Sequence, residues 1–265
     1  MTIIHLTDLH FARETAEQAG KALTHVIEYA DKARPDLFVI TGDLFNKAIQ
    51  NSSRDRLPDL IYYIKHLLKI APIVAIPGTP THDYPGCYAP LQELRGFHLK
   101  ISAMDPLFFD PDTGMVHKYA DRPPATRDLL ILGCGEPSKE WFLRDKHGIG
   151  KEEATEAVME GMKALFLGMA ATRREYAENP CIFLYHGSVS GAIMSNGQTV
   201  PGTEIRVGRD ELAAIGADYY ALGHIHLAQQ IDDLPAYYGG SAFPVDWSEK
   251  AQKSFNVVEI GEEES

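Results

Sequence analysis

Apolar positions along the chain follow two periods, and the change from one to the other marks the elements. Ile3 to Thr7 reads as a β-strand. Ala16 to Lys32 then spaces Ala19, Leu23, Val26, Ile27 and Ala30 as on one face of a helix, and Pro35 ends it. DLFVITGD, from Asp36, is a continuous apolar run closed by Gly42, the pattern of a strand buried on both faces. Leu57 to Ile70 is a second amphipathic helix, and PIVAIPG at Pro72 is a third strand that runs into a Gly/Pro-rich loop as far as Gly86. The order β-α-β-α-β predicts a parallel sheet with right-handed crossovers.

Beyond Phe97 the pattern breaks into short runs separated by DP, PDTG and DRPP, which predicts antiparallel strands and turns up to Cys134, as a sheet extension or a small insert. Lys151 to Tyr176 is the longest helical stretch. Strand character returns in CIFLYHG at Cys181 and DYYALGHIH at Asp218, with a helix at Asp210 to Ile215 between them. Short strands are expected at Ala228 to Asp232, Ala236 to Tyr238 and Phe255 to Ile260. No repeat or low-complexity linker interrupts the chain, so a single α/β domain over residues 1–260 is expected, followed by an acidic tail at 261–265.

Composition narrows the classes. The 265 residues are 45% hydrophobic and 23% charged, which is ordinary for a folded globular chain. Cys87, Cys134 and Cys181 lie far apart and are odd in number, so neither a disulfide framework nor a cysteine zinc site is indicated; buried apolar roles are expected. No leader-like or membrane-spanning apolar run is seen, which predicts a soluble cytoplasmic protein. A formal net charge of -12 would repel a polyanion on average, so any nucleic-acid binding must be local.

Candidate chemistry gathers where apolar runs end. Asp8 and His10, Asp43, His186, and His224 and His226 each terminate such a run, while the loop after the third strand carries His82 and Asp83. The carboxyl ends of neighbouring parallel strands share one edge, so ligands scattered in sequence meet there. Alternation along a strand would turn both polar groups of D-x-H and of H-x-H one way and bury the central residue. Carboxylate oxygen with imidazole nitrogen suits Mn, Fe, Zn or Co. Two such ions need a bridge, for which Asp43, on the turn that Gly42 permits, is the candidate. The remaining histidines His5, His25, His66, His98, His117 and His147 are expected to be structural. Trp141, Tyr238 and Phe243 could stack on a base, although core packing is the expected role of each.

The runs IIHLTDLHF, PDLFVITGDLFN, THD, IFLYHG, DYYALGHIH and AYYGGS resemble the successive motifs of the calcineurin-like metallophosphoesterases, and within them those of the SbcD-type DNA repair nucleases, over roughly Met1 to Asp246. The resemblance implies an α/β sandwich of two mixed β-sheets between helices, with two divalent ions, Mn first among the choices, on one edge. It implies that Asp8, His10 and His226 hold one ion, that His186 and His224 hold the other, that Asp43 bridges them, and that His82 is the catalytic histidine, its imidazole oriented by Asp83. The implied chemistry is phosphodiester hydrolysis by a metal-bound hydroxide, with DNA as substrate and exonuclease or endonuclease activity.

Two departures from the family pattern stand out. Between Gly78 and His82 the chain has Thr79, Pro80 and Thr81 in place of the single asparagine that ligates the second ion. A hydroxyl is a poorer neutral donor than an amide oxygen, so Thr81 or Thr79 would ligate weakly, water would fill the place, or His82 would shift onto the ion; a weaker second site is expected. The chain also ends soon after the last core strand, so the capping domain and the segment that binds an SbcC-type ATPase are not expected. The rival readings are a phosphodiesterase or phosphatase acting on a small nucleotide or phosphoprotein, and a scaffold that keeps the fold without turnover.

Overall fold

The computed structural model describes residues 1–47, 56–84, 86–137, 139–145, 148, 150–195, 197–198 and 205–261. In chain order the first elements are β1 (Thr2–Leu6), α1 (Ala16–Ala33), β2 (Leu37–Thr41), α2 (Leu57–Leu68), β3 (Ile73–Ile76), α3 (Ala89–Gln92) and β4 (Phe97–Leu99). There follow β5 (Leu107–Asp110), β6 (Met115–His117), β7 (Leu129–Cys134), α4 (Lys139–Leu143), α5 (Lys151–Glu175), β8 (Cys181–His186), β9 (Ser188–Val189) and β10 (Arg206–Val207). The last are α6 (Arg209–Ala213), β11 (Tyr219–Gly223), β12 (Gln229–Gln230), β13 (Ala236–Tyr238) and β14 (Asn256–Glu259).

Two sheets account for nearly all the strands. The first has the order β14-β1-β2-β3-β4, parallel except for β14. The second has the order β12-β13-β11-β8-β7-β5-β6, with a parallel centre from β13 to β7 and antiparallel edges. The expected antiparallel region is therefore a sheet extension, β5 to β7, and only β4 joins the first sheet. Of the segment expected at Ala228 to Asp232, only Gln229 and Gln230 pair, because this edge strand meets a short partner in β13.

Period-two alternation sorts the side chains into layers. Ile3, Leu37, Val39, Val74 and Ile76 of the first sheet meet Leu129, Ile131, Ile182, Leu184 and Ala221 of the second, all fully buried. The intervening residues face outward: Ile4, Leu6, Phe38 and Ile40 toward α1 and α2, Phe183, Tyr185 and Leu222 toward α5 and α6. Both sheets are thus covered on both faces, which is why their strands read as unbroken apolar runs. Helix α1 supplies Ala16, Ala19, Leu23, Val26 and Ala30 to this packing, one stripe at helical spacing. The result is an α/β sandwich of helices, two mixed sheets and helices.

The sandwich brings the carboxyl ends of β1, β2, β3, β8 and β11 to one edge. His5 of β1 makes polar contacts within and between the sheets: its Nε2 lies 2.8 Å from Thr41 Oγ1 on the neighbouring β2, and its Nδ1 3.1 Å from the hydroxyl of Tyr219, the first residue of β11 in the other sheet. His186 Nδ1, at the end of β8, lies 2.8 Å from the Thr41 carbonyl oxygen at the end of β2.

Candidate metal centre

Pairing between β1 and β2 continues past the strand ends. Asp8 N donates to Gly42 O, His10 N to Asp43 O and Phe11 N to Leu44 O, at 3.1, 2.9 and 2.9 Å. The backbone that carries these residues is not extended: φ is +48° at Asp8, +40° at His10, +46° at Asp43 and +98° at His224. Left-handed backbone is uncommon for non-glycine residues and collects at sites where function over-determines it. Leu9 and Ile225 are buried, as expected for the central residues of D-x-H and H-x-H. The expected mechanism is corrected, however, for these motifs lie beyond the strands, and left-handed turns rather than strand alternation aim the polar groups.

Three clusters of ligand atoms form, each with its atoms within 4.8 Å of one another: Asp8 with His10 and His226, His10 with Asp43 and His82, and Asp8 with Asp43 and His186. In the first, Asp8 Oδ1 is 3.9 Å from His10 Nε2 and 3.7 Å from His226 Nε2. Asp43 Oδ2 stands between the two sides, 3.9 Å from His10 Nε2 and 3.4 Å from His186 Nε2. His224 falls outside these clusters; its ring centroid is 5.3 Å from that of His186, and its backbone N–H donates to both Asp8 oxygens. Thr79 rather than Thr81 is at the site: its hydroxyl is 3.3 Å from both Asp43 Oδ2 and His186 Nε2, while Thr81 is exposed.

Each ring's outer nitrogen identifies its inner one. Nδ1 of His186 faces the Thr41 carbonyl, Nδ1 of His82 the Asn46 carbonyl at 2.7 Å, and Nδ1 of His226 the Glu249 carboxylate at 2.6 Å. Carbonyls and carboxylates only accept, so the proton sits on Nδ1 in all three rings. Nε2 is left for the cluster. His10 Nδ1, by contrast, is buried with no hydrogen-bond partner among the described residues.

The expectation that Asp83 orients the His82 imidazole is corrected. Asp83 accepts instead from Phe45 N, Gly78 N and the Tyr88 hydroxyl at 3.0, 2.7 and 2.7 Å. Adjacent side chains on a tight turn diverge, so Asp83 braces the loop while its neighbour points to the centre. Burial raises its carboxyl above the ordinary range, which these three donors oppose. Two residues escaped sequence reasoning. Thr7 donates to Asp8 Oδ2 at 2.6 Å, and Glu249 lies in an irregular segment, 23 positions beyond the histidine it contacts; only the adjacency of Thr7 to D-x-H could have signalled the first, and nothing the second.

The walls admit no side chain at two glycines. A Cβ at Gly78 would lie 2.2 Å from Asp43 Oδ1, and one at Gly42, where φ is +82°, would lie 2.3 Å from His186 Nδ1. The electrostatics of this packing favour a cation. Burial pushes His10 down to about 4, so it is neutral at physiological pH. Burial would lower His186 too, but the Asp43 and Asp8 carboxylates and the Thr41 carbonyl drive it up to about 10. Burial likewise opposes ionisation of Asp43, yet His186 and His10 hold it well below the usual carboxylate range. Two buried carboxylates that force a proton onto an imidazole make a site short of positive charge. Its mixed oxygen and nitrogen donors, shared among overlapping clusters, fit a pair of divalent ions.

The model of the calcineurin-like phosphoesterases matches residues 1–228. The chain belongs to that family. The expected family resemblance and the two-sheet fold therefore hold. Among curated relatives, the phosphoesterase is 26% identical over 277 residues to the SbcD component of the nuclease SbcCD from Staphylococcus saprophyticus subsp. saprophyticus. That match takes in 98% of this chain and 66% of the relative, so the chain spans just under two thirds of its relative's length. Its fold is similar to the crystal structure of a dimetal phosphatase from Danio rerio, with a TM-score of 0.53 and 11% identity over 97% of this chain and 91% of that one.

Other residues of the phosphoesterase mostly take the expected places. Cys87, Cys134 and Cys181 are buried thiols, as their expected apolar roles require. His5, His66 and His117 are hydrogen-bonded away from the clusters, to Thr41 and Tyr219, to Tyr62 O and to Asp128. His25 and His98 are likewise outside the clusters, and His147 lies outside the described residues, as does the tail beyond Gly261. Tyr238 and Phe243 are buried, whereas Trp141, also expected in the core, is 61% exposed. Among the described residues no helix is long and apolar enough to cross a membrane.

Proposed function

We propose that this phosphoesterase is a metal-dependent phosphodiester hydrolase that cleaves DNA in the manner of the SbcD-type nucleases. The observation that carries the reading is Asp43 Oδ2, set between the His10 and His186 nitrogens at 3.9 and 3.4 Å, as a bridging carboxylate must be. Asp8, His10 and His226 would hold one ion, and His186 and His224 the other, with the Thr79 hydroxyl beside the second; Mn suits the donors first, with Fe, Zn or Co as alternatives.

Two divalent ions, when bound, supply Lewis acidity toward the phosphoryl oxygens and lower the pKa of water from ~15.7 toward ~7. The chain's own groups do the rest. Asp43 and Asp8 fix the charge and spacing of the centre. The Asn46 carbonyl accepts the Nδ1 proton of His82, so it is in the imidazolium form, with a second proton on Nε2, that the ring would bond a phosphoryl oxygen or pass that Nε2 proton to the leaving oxygen. Asp83 holds the loop that presents His82, through Phe45, Gly78 and Tyr88.

The net charge of -12 favours a second reading, a phosphodiesterase for a small nucleotide, since extended duplex contact rests on Lys and Arg. One assay separates the two. Mn-dependent release of nitrophenol from a bis-nitrophenyl phosphate is measured beside digestion of linear single- and double-stranded DNA. Cleavage of both ester and DNA is expected; ester cleavage alone assigns the small-substrate reading, and no hydrolysis with any divalent ion contradicts both.

A further inference from the structure

The histidines of the centre are not braced alike. His186 and His82 each give Nδ1 to a backbone carbonyl, while His226 gives it to the carboxylate of Glu249 at 2.6 Å. Glu249 is itself buried and held from several directions. Its Oε2 accepts from Lys253 Nζ at 2.5 Å, Ser241 Oγ at 3.1 Å and Val245 N at 3.2 Å. Lys253 also donates to Ser241 Oγ at 2.7 Å and, at 3.2 Å, to the carbonyl oxygen of His226 itself. The ammonium thus grips both the backbone of the histidine and the carboxylate that aims its ring. Among the described residues, the hydrogen-bond partners of this buried ion pair are Ser241, Val245 and His226, none of them in a strand. It spans the segment between β13 and β14 and converges on one imidazole.

We infer that Glu249 is a positioning residue: through Nδ1 it fixes the tautomer and direction of His226 so that Nε2 faces Asp8 and His10, with Lys253 and Ser241 holding Glu249 in register. This rests on the proposed function and deepens it, because it makes the two ion sites unequal. A carboxylate behind an imidazole strengthens it as a donor more than a carbonyl does, and loss of such a partner typically costs ~10–100-fold in metal affinity. The side of Asp8, His10 and His226 is therefore the tighter one. The opposite side has a carbonyl behind His186 and a threonine hydroxyl as its neutral donor.

The test is calorimetric titration of the metal-stripped full chain with MnCl2, with Co(II) absorption spectra as a second readout of ligand geometry. The wild-type chain should show two unequal sites. Glu249→Gln, which keeps the shape and removes the charge, should weaken the tighter site at least tenfold, alter the Co(II) bands and leave the weaker site in place. Equal weakening of both sites, or unchanged affinities, would overturn the inference while leaving the two-ion centre standing. Failure of the wild-type chain to bind two ions would overturn the proposed function and this inference together. Should Glu249→Gln not fold, Lys253→Met takes its place, since it spares the His226 to Glu249 contact and removes the anchor. The same site-selective loss supports the inference, and no loss refutes it.

Discussion

His10 Nε2 and His226 Nε2, 216 positions apart in the chain, lie 2.9 Å from each other. They come from the ends of β1 and β11, strands of different sheets, and no more than one proton fits between the facing nitrogens. A divalent ion is the other species that satisfies two imidazole lone pairs beside an aspartate. The contact therefore joins the packing of the sandwich to its chemistry.

Asp43 and His82 should separate binding from turnover. Asp43→Ala removes the carboxylate common to two of the three clusters, and should abolish both ion binding and hydrolysis. His82→Ala should lower turnover about 10²–10⁴-fold, the usual worth of general acid–base catalysis, with ion stoichiometry intact by elemental analysis. Loss of an ion in the His82 variant would make it a ligand and remove it from the role of acid.

Thr79→Asn should strengthen the weaker ion site. The hydroxyl is 3.3 Å from both Asp43 Oδ2 and His186 Nε2, so an amide oxygen placed there would add a better neutral donor. Calorimetry with MnCl2 should show the two affinities converge; a weaker second site in the variant would show that the longer side chain crowds His186 instead.

Gly78→Ala should cost activity without a cavity or a lost hydrogen bond to explain it. The new methyl would sit 2.2 Å from Asp43 Oδ1 and 2.1 Å from Asp43 N, so the Asp43 carboxylate must move. Reduced ion affinity and a lowered melting temperature are expected, and wild-type values of both would contradict the packing described.

Acid should destabilise the fold through His5. Burial depresses this imidazole from 6.5 to about 3 in the folded chain, against the pull of Asp8. Between those values the unfolded chain binds one proton more, so stability is full above pH 6.5 and falls with decreasing pH until about 3, at up to ~1.4 kcal/mol per pH unit for this group. Urea unfolding of His5→Asn, less stable at pH 7, should show a shallower decline from pH 6 to 4. An equal slope would place the acid sensitivity elsewhere.

Much of this was legible in the chain because strands buried on both faces read as plain apolar runs, and polar residues that interrupt their ends stand out. Asp8, His10, Asp43 and the histidines at 186, 224 and 226 were visible for that reason. The left-handed turns that aim Asp8, His10 and Asp43 were not, since a non-glycine residue carries no mark of positive φ. The neighbouring letters of His82 and Asp83 suggested a pair, while the turn sends one side chain to the Asn46 carbonyl and the other to Gly78 and Tyr88. Glu249 escaped because tertiary packing alone brings it to His226, with no period or spacing to announce it.

Anomalous scattering from a crystal of the full chain soaked in MnCl2 tests the two-ion centre most directly. Two peaks about 3.5–4 Å apart, one against Asp8, His10 and His226 and one against His186, with Asp43 touching both, are expected. A single peak, or none among these side chains, would contradict the account.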